Sequence, residues 1–150
     1  MNIVILGCGR VGSTFARLMH HEGHSVTIID IQSESFRRLG AKYKGARIVG
    51  NGIDEDVLRR AGVAEADVFL ASSQGDNRNI MAAQIAKHVF NVPKVIARIY
   101  DPIRADRYRQ LGLITLCTTT IASGLMRDFV TDGEWGLAKD YSEEYLASNA

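Results

Sequence analysis

MNIVILGCGRVGSTFARLMHHEGHSVTIID, residues 1–30, sets two short apolar runs on either side of a glycine-rich turn and closes on an acid. Residues 2–7 and 25–30 are continuous and rich in β-branched side chains, as strands covered on both faces are, and residues 11–22 between them repeat apolar positions at helical spacing. The turn, Gly7-Cys8-Gly9-Arg10-Val11-Gly12, fits the pattern G-x-G-x-x-G. Alone that pattern is weak, but here it leaves a strand and opens a helix. Each glycine has a separate reason: Gly7 for the tight turn, Gly9 for close approach of backbone to a pyrophosphate, and Gly12 for packing of helix on strand. The first amides of the helix, with its dipole behind them, then face the phosphates. Asp30 lies 18 residues beyond Gly12, where a carboxylate accepts both ribose hydroxyls and repels a 2′-phosphate, favouring NAD over NADP. Arg10, a cation in the first helical turn, opposes the dipole at a cost of about 0.3–1 kcal/mol. A phosphate chain crossing the same turn reverses that sign.

Outward from this unit the alternation continues. Strands are expected at 46–49, 67–72, 94–100 and 114–117, and helices at 33–43, 54–62, 76–90, 103–111 and 120–130. That rhythm implies an α/β fold: a Rossmann-like, doubly wound parallel sheet of six strands with helices on both faces. The pattern holds through residue 130, so 1–130 reads as one nucleotide-binding domain. Residues 131–150 carry 1 basic and 5 acidic side chains against 17 and 12 in residues 1–130, and read as an acidic tail or a short docking helix. With 46% hydrophobic and 23% charged residues and a formal charge of +1, the chain has the composition of a soluble globular protein and no overall pull toward nucleic acid. No signal peptide and no apolar run near the ~20 residues of a membrane helix is evident, which gives a cytoplasmic expectation. Cys8 and Cys117 lack metal-ligand or disulfide spacing and read as small buried fillers.

In a sheet of this kind ligands lie outside the carboxyl ends of the strands. Asn51 and Gly52 follow the third strand, suited to lining an adenine or ribose, and Ser72 and Ser73 follow the fourth. The serines either hydrogen-bond the middle of a ligand or cap the next helix, a capping role better assigned to Asp76 or Ser73. Arg98 interrupts VIARIY, where a doubly covered strand takes apolar side chains. Such a charge needs a partner, either Asp101 or another acid, or a ligand phosphate.

Several segments taken together carry a resemblance: GCGRVG (7–12), VTIID (26–30), VGNGIDEDVLRRAGVAEADVFLASS (49–73), DNRNIMAAQIAK (76–87) and VIARIYDP (95–102). They resemble the N-terminal RCK (KTN, TrkA-N) domain of regulatory proteins of bacterial Trk/Ktr potassium uptake, over about residues 1–130. The resemblance implies a non-enzymatic cytoplasmic subunit, peripheral at the inner face of the cell membrane. Such a subunit binds NAD(H) or ATP/ADP and gates a membrane-embedded potassium channel or transporter subunit. By family position Gly7, Gly9, Arg10, Val11 and Gly12 would cradle phosphates. Asp30, with Ile31 beside it, would hold the adenosine ribose, Asn51 and Gly52 would flank the adenine, and Arg98 would reach a terminal phosphate or the far half of a dinucleotide. With Ser72 and Ser73 these form the candidate cofactor-binding set. The family also implies a homodimer through about 113–130, using the C-terminal helix, and assembly of dimers into rings. Two departures stand out. Members often have Gly-Asp-Ala where this chain has Gly50-Asn51-Gly52, and Thr118, Thr119 and Thr120 stand where some hold a divalent ion through a glutamate, so no metal site is expected. The rival reading is the cofactor-binding domain of an NAD-dependent oxidoreductase. Against it, no His, Lys or Tyr is placed as an evident hydride-partner acid or base.

Overall fold

The structure is a computed structural model and describes residues 1–133. The chain divides into two compact units, Met1–Arg98 and Ile99–Ala150. In the first, β1 (Asn2–Leu6) leads through the glycine turn into α1 (Arg10–His21) and on to β2 (Ser25–Asp30), β3 (Ala46–Val49), α2 (Glu55–Arg60), β4 (Val68–Ala71), α3 (Asp76–His88) and β5 (Lys94–Arg98). In the second, α4 (Pro102–Gln110), β6 (Ile114–Leu116) and α5 (Thr118–Asp132) follow. The hydrogen-bonded strand order is β3-β2-β1-β4-β5-β6, the order of a doubly wound dinucleotide-binding sheet. The chain therefore carries the Rossmann-like sheet expected of its βα rhythm.

Register shows why the sequence folds this way. Ile3 pairs with Val26 and Val68, and Ile5 with Ile28 and Leu70, all parallel. Alternation sends these residues to one face, where they form a buried cluster with Ala16 of α1, Leu39 and Tyr43. Val4, Leu6, Phe69 and Ala71 alternate with them and are equally buried. On α3, Ala82, Ala83 and Ala86 are wholly buried outside that cluster, and α3 packs against β4 and β5. With both faces covered, the strands need the continuous apolar runs that the sequence gives them.

The helix expected over 33–43 is instead a 3-10 helix over Ser33–Leu39. Ser35 donates its amide to the Gln32 carbonyl at 3.1 Å, an i to i+3 bond, and Gly40 then leaves the helix. Tyr43 explains the early exit. Tyr43 is 2% exposed and its hydroxyl donates to the Val26 carbonyl at 2.8 Å, so after the exposed residues 40–42 the chain anchors in the core at Tyr43 rather than continue a surface helix. His20 closes the same corner, its Nε2 accepting the Lys44 amide at 3.1 Å.

In the second unit, Asp101 caps α4 by accepting the Ile103 and Arg104 amides at 2.9 and 3.2 Å, with Pro102 in the first turn. The Ile99 amide donates to the Leu116 carbonyl at 3.0 Å, and Thr115 donates its hydroxyl to the Ala105 carbonyl at 3.1 Å. Within α5 only Thr120 is buried, while Met126, Phe129 and Val130 share one face and are exposed. Thr131 and Asp132 complete that helix, and the remainder of the expected acidic tail, from residue 134, lies outside the described residues. Among the described residues no helix is long and apolar enough to cross a membrane.

Candidate functional site

All twelve candidate residues lie in the first unit, at the carboxyl ends of β1 to β5. Gly7 adopts a φ of +100°, and a Cβ there would stand 2.6 Å from both the Cα and the amide nitrogen of Ser73. Gly12 faces inward, where a Cβ would collide with the Gly7 carbonyl and lie 2.8 Å from Ser72 Oγ. Only glycine satisfies either position. Gly9 differs: its φ is −75°, and a Cβ would meet nothing within 4 Å.

Gly9 is the N-cap of α1, with no side-chain cap and no acid in the first turn. At the helix mouth the Ser13 amide donates to the Gly9 carbonyl at 2.9 Å, and the amides of Arg10, Val11 and Gly12 precede it in the chain. A helix start left without a cap favours an anion. Arg10 is exposed at this mouth and Val11 half-buried. Among the described residues Arg10 forms no ion pair.

Asp30 is bonded within the fold itself. Its Oδ2 accepts the Cys8 amide at 2.7 Å and its Oδ1 the Gln32 amide at 2.9 Å, tying the glycine turn to the end of β2. A carboxylate oxygen can accept two hydrogen bonds, so each oxygen of Asp30 keeps the capacity to accept one more. Beside it a hollow of about 330 Å³ is lined by Gln32, Glu34, Ser35, Arg37 and Arg38. Cys8 is fully buried and its thiol donates to the Ser35 carbonyl at 3.3 Å. Burial first, then the Asp30 charge, pushes that thiol up to about 11, against smaller opposite effects of Arg38 and Arg47. It is a packed filler rather than a nucleophile.

At the ends of β2 and β3 the Gly50 amide donates to the Asp30 carbonyl at 3.0 Å. Gly52 sits where a Cβ would strike the Leu6 side chain, and Asn51 is exposed, its carbonyl accepting the Asp54 amide at 3.0 Å. Ile31, Val49 and Ile53 are exposed here although large and apolar. Sequence alone points to Ile31 but not to Val49 or Ile53, since apolar residues at a strand end look like core.

The serines are turned inward. Ser72 donates its hydroxyl to the Leu6 carbonyl at 3.2 Å, and Ser73 donates its own to Asn79 Oδ1 at 2.8 Å. The capping role expected of Asp76 or Ser73 is not what the structure has: the N-cap of α3 is Gly75, with no side-chain cap bond, and Asp76 is already inside the helix. Arg98 is 9% exposed, and its Nη2 donates to the Ser73 carbonyl at 3.0 Å. Asn79, which the sequence offers only as part of a helix start, is wholly buried among these groups. A signal was present: it occupies the apolar stripe Asn79, Ala82, Ala83, Ala86. Among the described residues no group of three or more His, Cys, Asp or Glu is placed to hold a metal ion.

A family model described as the TrkA-N domain matches residues 3–119. A Trk system potassium uptake protein TrkA from Streptomyces coelicolor is 48% identical over 141 residues, covering 93% of this chain and 63% of that protein. This chain thus spans less than two thirds of that relative's length. Two solved structures share the fold. The Kef C-terminal domain of Shewanella denitrificans in an AMP-bound form superposes with a TM-score of 0.75 at 18% identity, over 99% of this chain and 93% of that one. The TrkA-N domain of the inner membrane protein ybaL from Escherichia coli gives 0.76 at 15% identity, over 86% and 96%. At such identities these likenesses speak for the fold alone.

Proposed function

This chain belongs to the TrkA-N domain family, and from that premise we propose that it is the nucleotide-binding part of a regulatory protein for potassium uptake. Its ligand is an adenine nucleotide, AMP, ADP, ATP or NAD(H), and its partner a membrane-embedded potassium channel or transporter subunit. The observation that carries the nucleotide reading is the uncapped mouth of α1, with room at Gly9 for a group to approach the backbone and Asp30 bonded to the same turn. In this reading Gly7, Gly9, Arg10, Val11 and Gly12 cradle the phosphates. Asp30 takes the ribose, Ile31, Val49 and Ile53 with Asn51 and Gly52 receive the adenine, and Ser72, Ser73 and Arg98 close the far end.

Regulation follows from differential binding. Nucleotides that differ beyond the first phosphate favour different conformations of an assembly, and only that difference shifts the equilibrium. A homodimer through α5 fits its exposed Met126, Phe129 and Val130, and dimers in turn form a ring at the inner face of the membrane. The chain performs no chemistry in this reading, in keeping with a Cys8 thiol held neutral in the turn. Calorimetric titration with AMP, ADP, ATP, NAD and NADH, paired with X-ray scattering of each complex, tests the reading. Micromolar binding by at least one nucleotide and distinct profiles for ATP against ADP, or NADH against NAD, are expected. Absence of binding refutes the nucleotide site, and identical profiles refute the switch.

A further inference from the structure

Asn79 breaks the apolar stripe of α3 with a primary amide that is 0% exposed. A buried amide of this kind has two N–H donors and one oxygen that accepts twice, and any left unused is costly. All four are used. Oδ1 accepts the Ser73 amide and the Ser73 hydroxyl, both at 2.8 Å, and Nδ2 donates to the Ser73 carbonyl at 3.0 Å and to the Arg98 carbonyl at 2.8 Å. None of these bonds serves the helix that carries Asn79. A fourth alanine would continue the stripe and favour the helix more, so packing does not explain the residue.

What it holds does. The Ser73 main chain is the surface against which Gly7 turns, close enough to forbid a Cβ there. The Ser73 carbonyl is also the acceptor of Arg98 Nη2. Asn79 therefore fixes both the backbone that carries the guanidinium and the oxygen that orients it, and it anchors both to the glycine turn.

We propose that Asn79 is a positioning residue for the polyphosphate end of the nucleotide site. It touches no ligand. Through Ser73 and Arg98 it sets where groups beyond the first phosphate are met, and so it sets discrimination by phosphate-chain length. This rests on the nucleotide reading given above.

Titration of the wild-type chain and of Asn79→Asp and Asn79→Ser with AMP, ADP, ATP and NAD tests it, with the melting temperature of each variant measured alongside. Asn79→Asp keeps both accepted bonds and loses both donated ones; Asn79→Ser loses most of the network. The expected result is an AMP Kd within about threefold of wild type, while ADP, ATP and NAD weaken by about tenfold or more. Parallel weakening of all four in step with the melting temperature, or no change in any, overturns the proposal. Should both variants fail to fold, amide exchange in the wild-type chain decides. The Ser73 amide, which donates to Asn79 Oδ1, is expected to be protected more by ADP than by AMP, and equal protection overturns the proposal. A wild-type chain that binds none of the four overturns the nucleotide reading itself, a result seen before any variant is made.

Discussion

The two flanks of the carboxyl edge are built on opposite plans. At the β1–β2 flank the mouth of α1 lacks a cap, Arg10 projects, and the position of a Gly9 Cβ has nothing near it. At the β4–β5 flank every polar group of Asn79 is paired, and Ser72, Ser73 and Arg98 bond one another or the backbone. One flank carries donors whose natural complement is an anion; the other bonds Asn79 and the serine hydroxyls within the protein. The Gly7 turn meets both, since its backbone abuts Ser73 and its neighbour Cys8 donates to Asp30. On the reading proposed above, a ligand enters at the open flank and its length is read against the other.

The glycines separate the flanks most sharply. Gly12→Ala drives a methyl into the Gly7 carbonyl and Ser72 Oγ, where neither helix nor strand can retreat without breaking the other. A stability loss of about 3 kcal/mol or more is expected in chemical denaturation, a large part of what a domain of this size has. A loss under about 1 kcal/mol means that the turn gives way more easily than its packing implies.

Asp30→Ala comes next, because on the proposed reading the acid serves both protein and ligand. Deprived of its oxygens, the part-buried Cys8 amide loses its acceptor, and stability falls by about 1–3 kcal/mol. Affinity for every adenine nucleotide falls by about tenfold or more, whatever its phosphate count, because the ribose is common to all. Weakening confined to the longer nucleotides contradicts the ribose assignment.

Arg10→Ala has the smallest effect and the most telling sign. Without ligand the variant gains about 0.3–1 kcal/mol, since a cation is removed from the positive end of α1. With ligand it loses affinity for ATP more than for AMP, and the loss shrinks as salt is raised. A melting temperature that falls in the absence of nucleotide refutes the view of Arg10 as a residue tolerated for its ligand.

Much of this was legible in residues 1–30. Strand, glycine turn, helix, strand and acid follow from local pattern, because each depends on neighbours within a few positions. The parallel sheet follows from the alternation of strands and helices, whereas the order of its strands is not set by that local pattern. What sequence does not disclose is pairing across the fold. That Ser73 closes on the Asn79 side chain rather than capping α3 depends on a contact six residues away and on the bond from Asn79 to the Arg98 carbonyl, nineteen residues further on. That Asp30 braces the turn depends on Cys8, 22 positions earlier. The 3-10 helix in place of an α-helix is of the same kind, since it is Tyr43 bonded to Val26 that ends it. Polar residues on apolar stripes, such as Asn79 in α3, are where the pattern marks such long-range partners without naming them.

The claim at the centre is that the space at Gly9 belongs to a ligand and not to the fold, and Gly9→Ala tests it directly. Its backbone angles suit alanine and a Cβ meets nothing within 4 Å, so the variant should fold as stably as the parent or gain about 0.4–1 kcal/mol. Calorimetry with ADP and NAD should show affinity lowered by about a hundredfold or more, as a methyl stands between backbone and pyrophosphate. A stable variant that binds both nucleotides as the parent does contradicts the account.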